Sequence, residues 1–249
     1  MPFITGGFPS LSCTAEAIVA LGGTGVAAIE VGIPFSDPIA DGPVIAQSMH
    51  EALERGADCA RVLDAVRRAR AHTEVPLVAM VSASIVFRRG GPSFIGELSD
   101  AGFDGVIIPD IDLTAIDPIE VACKTHDLTL SLLVASTTSA VRTAELARHC
   151  RGFIYLLARA GLTGEQADAP DIAGPVARLR GATTLPIAAG FGISTASHVA
   201  AVCAHADAAI VGSAFVRRMG GADAVEQAVA FTRELAAGLP RPSSAATPR

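Results

Sequence analysis

Leu185-Pro186-Ile187-Ala188-Ala189 runs into Gly190-Phe191-Gly192-Ile193-Ser194-Thr195 and then into the segment Ala196 to His205, and together they hold one complete structural repeat of the chain. The first five residues are apolar and bounded by turn signals, the mark of a short strand covered on both faces. Pro186 stands near the start of that strand, where a missing amide is tolerated. The glycines make the turn, and Thr195 is placed to cap a helix N-terminus. Ala196 to His205 then carries apolar residues at three- and four-residue spacing, the period of a helix packed on one side. Ala208-Ala209-Ile210-Val211 opens the next repeat and ends in Gly212-Ser213. A strand, a crossover helix and a second strand in so short a span form a βαβ unit with parallel strands.

The same unit recurs upstream. Short apolar runs at Pro2–Thr5, Val26–Val31, Leu77–Val81, Gly105–Pro109, Thr129–Val134 and Phe153–Leu157 read as strands. Amphipathic stretches read as helices at Ala15–Leu21, Val44–Glu54 with Cys59–Ala71, Ser93–Ala101, Ala115–His126, Val141–Cys150, Ile172–Arg180 and Asp223–Ala237, with Ser139 as a further N-cap. Eight alternations of strand and helix predict an α/β fold of the (β/α)8 TIM-barrel type; an open doubly wound sheet is the alternative. The expected organisation is a single barrel domain over 1–238, beginning at a strand without a leading N-terminal helix. The Pro-, Ser-, Ala- and Thr-rich residues 239–249 read as a disordered tail.

The chain has 249 residues, half of them hydrophobic, which suits one large domain with a sizeable core. A net charge of −6 gives no footprint for nucleic acid or for an anionic membrane. The five cysteines (Cys13, Cys59, Cys123, Cys150 and Cys203) are odd in number and lack CxxC spacing, which reads as a reduced, cytoplasmic set. No basic-then-apolar leader is visible, and no apolar run reaches the roughly 18 residues of a membrane helix.

In a parallel barrel the chemistry stands at the C-terminal ends of the strands. Glu30 lies there, inside Ala27-Ala28-Ile29-Glu30-Val31-Gly32-Ile33. A carboxylate in an apolar run is costly unless partnered or protonated, and burial raises its pKa toward that of a general acid–base. The alternative is a structural carboxylate held by backbone amides. Asp37 and Asp41 follow in a loop stiffened by Pro34, Pro38 and Pro43; each could lie over the barrel mouth or merely serve a turn. Gly190-Phe191-Gly192 after the seventh strand and Gly212-Ser213 after the eighth stand where barrels bind phosphate, through glycine-exposed amides and a helix N-terminus. Plain turn glycines are the alternative. Tyr155, the only tyrosine, lines a pocket or fills the core, and it precedes a glycine-bearing loop, Arg159 to Gly164, suited to a lid.

The only lysine, Lys124, falls within a predicted helix, so no amine is placed for a Schiff base. The six histidines also fall in or beside helices, no His/acid cluster suggests a metal, and no GxGxxG follows a strand. Acid–base chemistry by carboxylates on an anionic substrate is what remains.

The run Glu30-Val31-Gly32-Ile33-Pro34-Phe35-Ser36-Asp37-Pro38-Ile39-Ala40-Asp41-Gly42-Pro43 resembles the signature of the tryptophan synthase alpha subunit family. Pro2-Phe3-Ile4-Thr5 with Gly7-Phe8-Pro9, Pro109-Asp110, Tyr155-Leu156-Leu157, Gly161-Leu162-Thr163-Gly164, Gly190-Phe191-Gly192-Ile193-Ser194 and Val211-Gly212-Ser213-Ala214 follow in family order. The resemblance implies a carbon–carbon lyase, free of cofactor and metal, that cleaves indole-3-glycerol phosphate to indole and glyceraldehyde 3-phosphate in tryptophan biosynthesis. It implies that Glu30 protonates indole C3 and helps deprotonate the side-chain hydroxyl, and that Asp41 accepts the indole N–H. Thr163 would meet Asp41 on lid closure. Gly164, Gly192, Gly212 and Ser213 would hold the phosphate, and Phe3, Ile107, Tyr155 and Phe191 would surround the ring. A beta subunit is the implied partner, in an α2β2 heterotetramer, with Pro34, Asp37 and Pro38 near the contact.

The sequence departs from the family pattern in the absent leading helix, in Ser82-Ala83-Ser84 where an aromatic is usual, in Asp112 where proline is usual, and in Ala160 where serine is usual. A free-standing lyase that releases indole, another sugar-phosphate barrel enzyme, and a degenerate barrel that only regulates a beta subunit are the alternatives.

Overall fold

The computed structural model describes residues 1–38, 41–158, 164 and 168–239. Its strands are β1 (Phe3–Thr5), β2 (Ile29–Gly32), β3 (Leu77–Met80), β4 (Gly105–Ile107), β5 (Thr129–Ser131), β6 (Leu133–Ala135), β7 (Ile154–Leu157), β8 (Ile187–Gly190) and β9 (Ala208–Ile210). All neighbours pair in parallel, β1 through β5 in one run and β6 through β9 in another. The ring closes where Phe3 N–H donates to Val211 O (2.9 Å) and Val211 N–H donates to Met1 O (3.0 Å). At the other seam, β5 and β6 are two pieces of one strand interrupted at Leu132, whose N–H turns aside to Cys150 Sγ at 3.3 Å. Counting β5 and β6 as one, eight strands form a parallel barrel, and the open-sheet alternative is excluded.

The helices are α1 (Leu11–Gly22), α2 (Pro43–Glu54), α3 (Cys59–Arg70), α4 (Ala83–Arg88), α5 (Pro92–Ala101), α6 (Asp117–Thr125), α7 (Ala140–His149), α8 (Ala173–Ala182), α9 (Ala196–Cys203), α10 (Ser213–Arg218) and α11 (Ala224–Ala236). Side-chain caps set several starts: Ser10 accepts from Cys13 N–H (3.1 Å), Asp58 from Arg61 N–H (2.8 Å), Ser139 from Arg142 N–H (3.3 Å) and Thr195 from His198 N–H (3.2 Å). Among the described residues, no helix is long and apolar enough to cross a membrane.

Period-two alternation divides the strand side chains between two cores. Ile4, Ile29, Val31, Leu77, Val106 and Ile187 face outward and pack with the apolar faces of the helices. Ala28, Val78, Ile107, Tyr155, Ala188 and Ile210 fill the barrel interior. Each fully buried aliphatic side chain contributes roughly 1.5–3 kcal/mol of transfer free energy, so the outer layer carries most of the stability and the interior layer can be shaped for a ligand.

The N-terminal ends of the strands are pinned by one device used twice. Asp104 accepts from Leu77 N–H (2.8 Å) and pairs with Arg70, which also donates to Gly102 O and Val75 O. Asp207 accepts from Ile187 N–H (2.7 Å) and pairs with Arg180. These locks lie at the closed end and leave the opposite end free to form a site.

Candidate active site

A cavity of about 320 Å³ opens at the C-terminal ends of the strands, within the range of small-molecule pockets. Glu30 projects into it from β2. Register alternation puts Glu30 beside Phe3 of β1 and Val78 of β3 on the inward face. Its side chain is 0 % exposed, and neither carboxylate oxygen has a hydrogen-bond partner among the described residues. Burial pushes its pKa up to about 8; the Met1 ammonium pulls downward, and the negative charge of Asp41 pushes upward. At neutral pH this carboxyl is mostly protonated, as a general acid must be. The backbone-held structural carboxylate is therefore not what the chain builds.

Asp41 reaches the same cavity from the loop between β2 and α2. Its N–H donates to Pro38 O (3.0 Å), and the next two residues, Gly42 and Pro43, start α2. A turn on one side and a helix start on the other fix where the carboxyl can stand. Burial raises its pKa to about 6, so it is largely ionised at neutral pH. Two carboxyls in one cavity are thus held in opposite protonation states, which is how an acid and an anion stabiliser are told apart. Asp37 and Pro38 also line the cavity.

Two walls of the cavity depend on glycines. A Cβ on Gly32 would lie 2.6 Å from Phe3 Cζ, and a Cβ on Gly190 would lie 2.6 Å from the Tyr155 hydroxyl. Both aromatic rings lie flat against the strands because those positions lack side chains. Tyr155 is at once a core and a pocket residue: it is buried, belongs to the interior cluster, and lines the cavity. Its phenol is held well above its usual range by burial first and then by the charges of Glu30 and Asp41.

Phe191 and Gly192 follow β8 with φ of +87° and +80°. For phenylalanine this left-handed backbone is strained, and such strain concentrates at ligand sites. Gly192, Gly212, Ser213 and Gly164 also line the cavity, with Ser213 opening α10 after β9.

Of the residues read from the sequence, Phe3, Glu30, Asp41, Tyr155, Gly164, Phe191, Gly192, Gly212 and Ser213 come together around this cavity. Ile107 is wholly buried in the interior cluster beside its register partner Met80, which lines the cavity, but is not itself part of the cavity surface. Thr163 and most of the expected lid lie outside the described residues, as does Ala160. Sequence reading missed Ile33, Ile45, Met49, Met80 and Leu133, apolar residues indistinguishable from core by spacing alone, and it noted Ser82, Ser84 and Asp110 without placing them in the site.

One cluster runs against expectation. Asp117, Glu120 and His149 bring ligand-type atoms within 4.8 Å of one another on α6 and α7. Glu120 already accepts from Lys124 Nζ and from His149 Nδ1 (2.7 Å), and none of the three lines the cavity.

Comparison with known proteins accounts for this arrangement. The family model for the tryptophan synthase alpha chain matches residues 1–241. The tryptophan synthase alpha chain of Chloroflexus aggregans is 38% identical over 246 residues, covering 97% of this chain and 92% of the relative. That of Methanosarcina acetivorans is 41% identical over 241 residues, with 95% and 87% covered. Among solved structures, Mycobacterium tuberculosis tryptophan synthase superposes with a TM-score of 0.87 at 32% identity, covering 95% of this chain and 90% of the other. A mutant alpha subunit from Pyrococcus furiosus also gives 0.87, at 30% identity and 94% and 96% coverage. With a family model spanning nearly its whole length, and the acid, the anion and the glycine turns gathered at one barrel mouth, the chain belongs to the tryptophan synthase alpha chain family.

Proposed function

We propose that Glu30 and Asp41 carry out this family's reaction, the retro-aldol cleavage of indole-3-glycerol phosphate to indole and glyceraldehyde 3-phosphate in tryptophan biosynthesis. The observation that carries the assignment is the split between the two carboxyls: one buried and protonated near neutral pH, the other ionised, both in one cavity. Glu30 gives its proton to indole C3. The ring becomes cationic, and the Asp41 carboxylate accepts the indole N–H and stabilises that charge in a site poor in water. The Glu30 carboxylate then takes the proton of the adjacent side-chain hydroxyl. The C3–carbon bond breaks, its electron pair returns to the ring, and the aldehyde forms. One proton leaves Glu30 and one returns, so the enzyme is regenerated without a cofactor.

Gly164, Gly192, Gly212 and Ser213 hold the phosphate, which fixes the other end of the substrate. Phe3, Tyr155 and Phe191 flank the ring. A beta subunit of tryptophan synthase takes up the indole, docking near Asp37 and Pro38 in an α2β2 assembly in the cytoplasm. Indole is apolar and escapes easily, so direct passage between subunits conserves it.

The test is indole release from indole-3-glycerol phosphate, with and without an added beta subunit. Release stimulated by the partner supports this reading, and an equal rate alone would favour a free-standing lyase. Glu30→Gln is expected to retain substrate binding and to lose turnover by at least about a hundredfold, the scale of general acid–base catalysis. Turnover close to that of the unaltered enzyme would remove Glu30 from the mechanism.

A further inference from the structure

The cavity holds polar groups that this reaction does not use. Ser82, Ser84 and Asp110 line it on the far side from the glycine turns. Around the ring, β3 and β4 occupy the third and fourth strand positions, and β8 and β9 the seventh and eighth, so the two walls face each other across the mouth. A substrate anchored by phosphate at Gly192 and Gly212 points its opposite end, the benzene edge of the indole, toward Ser82 and Asp110.

That wall offers acceptors. The Ser82 hydroxyl donates to Asp110 Oδ2 at 2.7 Å, and Ala83 N–H donates to Asp110 Oδ1 at 2.7 Å. Ser84 N–H donates to Ser82 Oγ at 3.2 Å. With its proton committed to Asp110, Ser82 has only acceptor capacity left, and each Asp110 oxygen has a lone pair to spare. The bonds also tie the β3 and β4 loops together, so the acceptors are held in place before a ligand arrives.

We propose that Ser82 and Asp110 are specificity-determining residues that let this enzyme take indoles carrying a hydrogen-bond donor, a hydroxyl or an amino group, on the benzene ring. The proposal rests on the lyase reading above. Asp110 is exposed and Ser82 half-buried, so both acceptors are hydrated in the free protein; an apolar substituent at the same place displaces that water without supplying a donor, so the wall discriminates against it.

The test uses the full chain and runs the reaction in reverse, condensing glyceraldehyde 3-phosphate with indole, with 5- and 6-hydroxyindole, and with 5- and 6-methylindole as apolar counterparts of similar size. The readout is the ratio of kcat/KM for the hydroxy compound to that for the methyl compound at the same ring position, which cancels any general loss of activity. The expected ratio exceeds one at one or both positions and falls about fivefold to tenfold in Ser82→Ala, the worth of one hydrogen bond. Asp110→Asn, which keeps the shape and removes the charge, is expected to lower it in the same direction. If indole condenses but the methyl compounds are preferred at both positions, or the ratio is unmoved in both variants, the specificity proposal is overturned and the lyase reading stands. If indole itself fails to condense, the lyase reading falls and this proposal with it.

Discussion

Glu30 and Asp41 sit in one cavity with pKa values of about 8 and about 6, both raised chiefly by burial. The proposed mechanism requires the first protonated and the second ionised. The specificity constant is therefore expected to rise as pH passes about 6, to plateau, and to fall as pH passes about 8, measured as kcat/KM across that range. Asp41→Asn removes the anion opposite the indole nitrogen and is expected to cost about a hundredfold to a thousandfold in kcat. Its circular dichroism and unfolding midpoint should match the unaltered protein; an unfolded variant would return Asp41 to turn chemistry. Both residues were legible in the sequence because a charge inside an apolar strand and an acid in a proline-stiffened loop are conspicuous. Ile107 is buried in the interior cluster next to the cavity surface. Inward-facing residues at the cavity surface and those just behind it are equally apolar, so the sequence alone does not separate them.

At the level of elements, the βα alternation was readable wherever a strand was followed by a helix of several turns. Two features were not. Ala83–Arg88 is only six residues and includes β-branched Ile85 and Val86, too short to show a period, yet the Ser82 cap starts a helix there. The interruption at Leu132 leaves no mark in Thr129-Leu130-Ser131-Leu132-Leu133-Val134, because a diverted N–H changes no residue type. The glycine-to-aromatic contacts are likewise invisible until strands pair. They carry their own prediction: in Gly190→Ala the new methyl meets the Tyr155 hydroxyl. The expected outcome is about 1–3 kcal/mol of overpacking cost in urea unfolding, with a raised KM as the Tyr155 ring moves into the cavity. An unchanged KM would place Tyr155 outside the binding wall.

For the whole molecule, the buried carboxyl of Glu30 makes stability depend on pH. Its pKa is higher in the folded state than its usual 4.5, so between about 4.5 and 8 the folded chain binds the extra proton. Folding stability from this residue is present below that window and declines as pH rises through it, by up to about 1.4 kcal/mol per pH unit. Glu30→Gln should flatten that decline and melt higher than the unaltered protein above pH 8, measured by thermal unfolding against pH; parallel curves would contradict the shift. The residue proposed as the acid thus costs stability above that window, a common exchange at active sites. The break at Leu132 has a consequence on this scale as well. Upstream of it the chain supplies Glu30, Asp41, Ser82 and Asp110; downstream it supplies Gly164, Gly192, Gly212 and Ser213. On the proposed mechanism, proton transfer and substrate anchorage thus come from separate halves of the barrel, so a change in the span between them would alter catalysis without touching either set of groups.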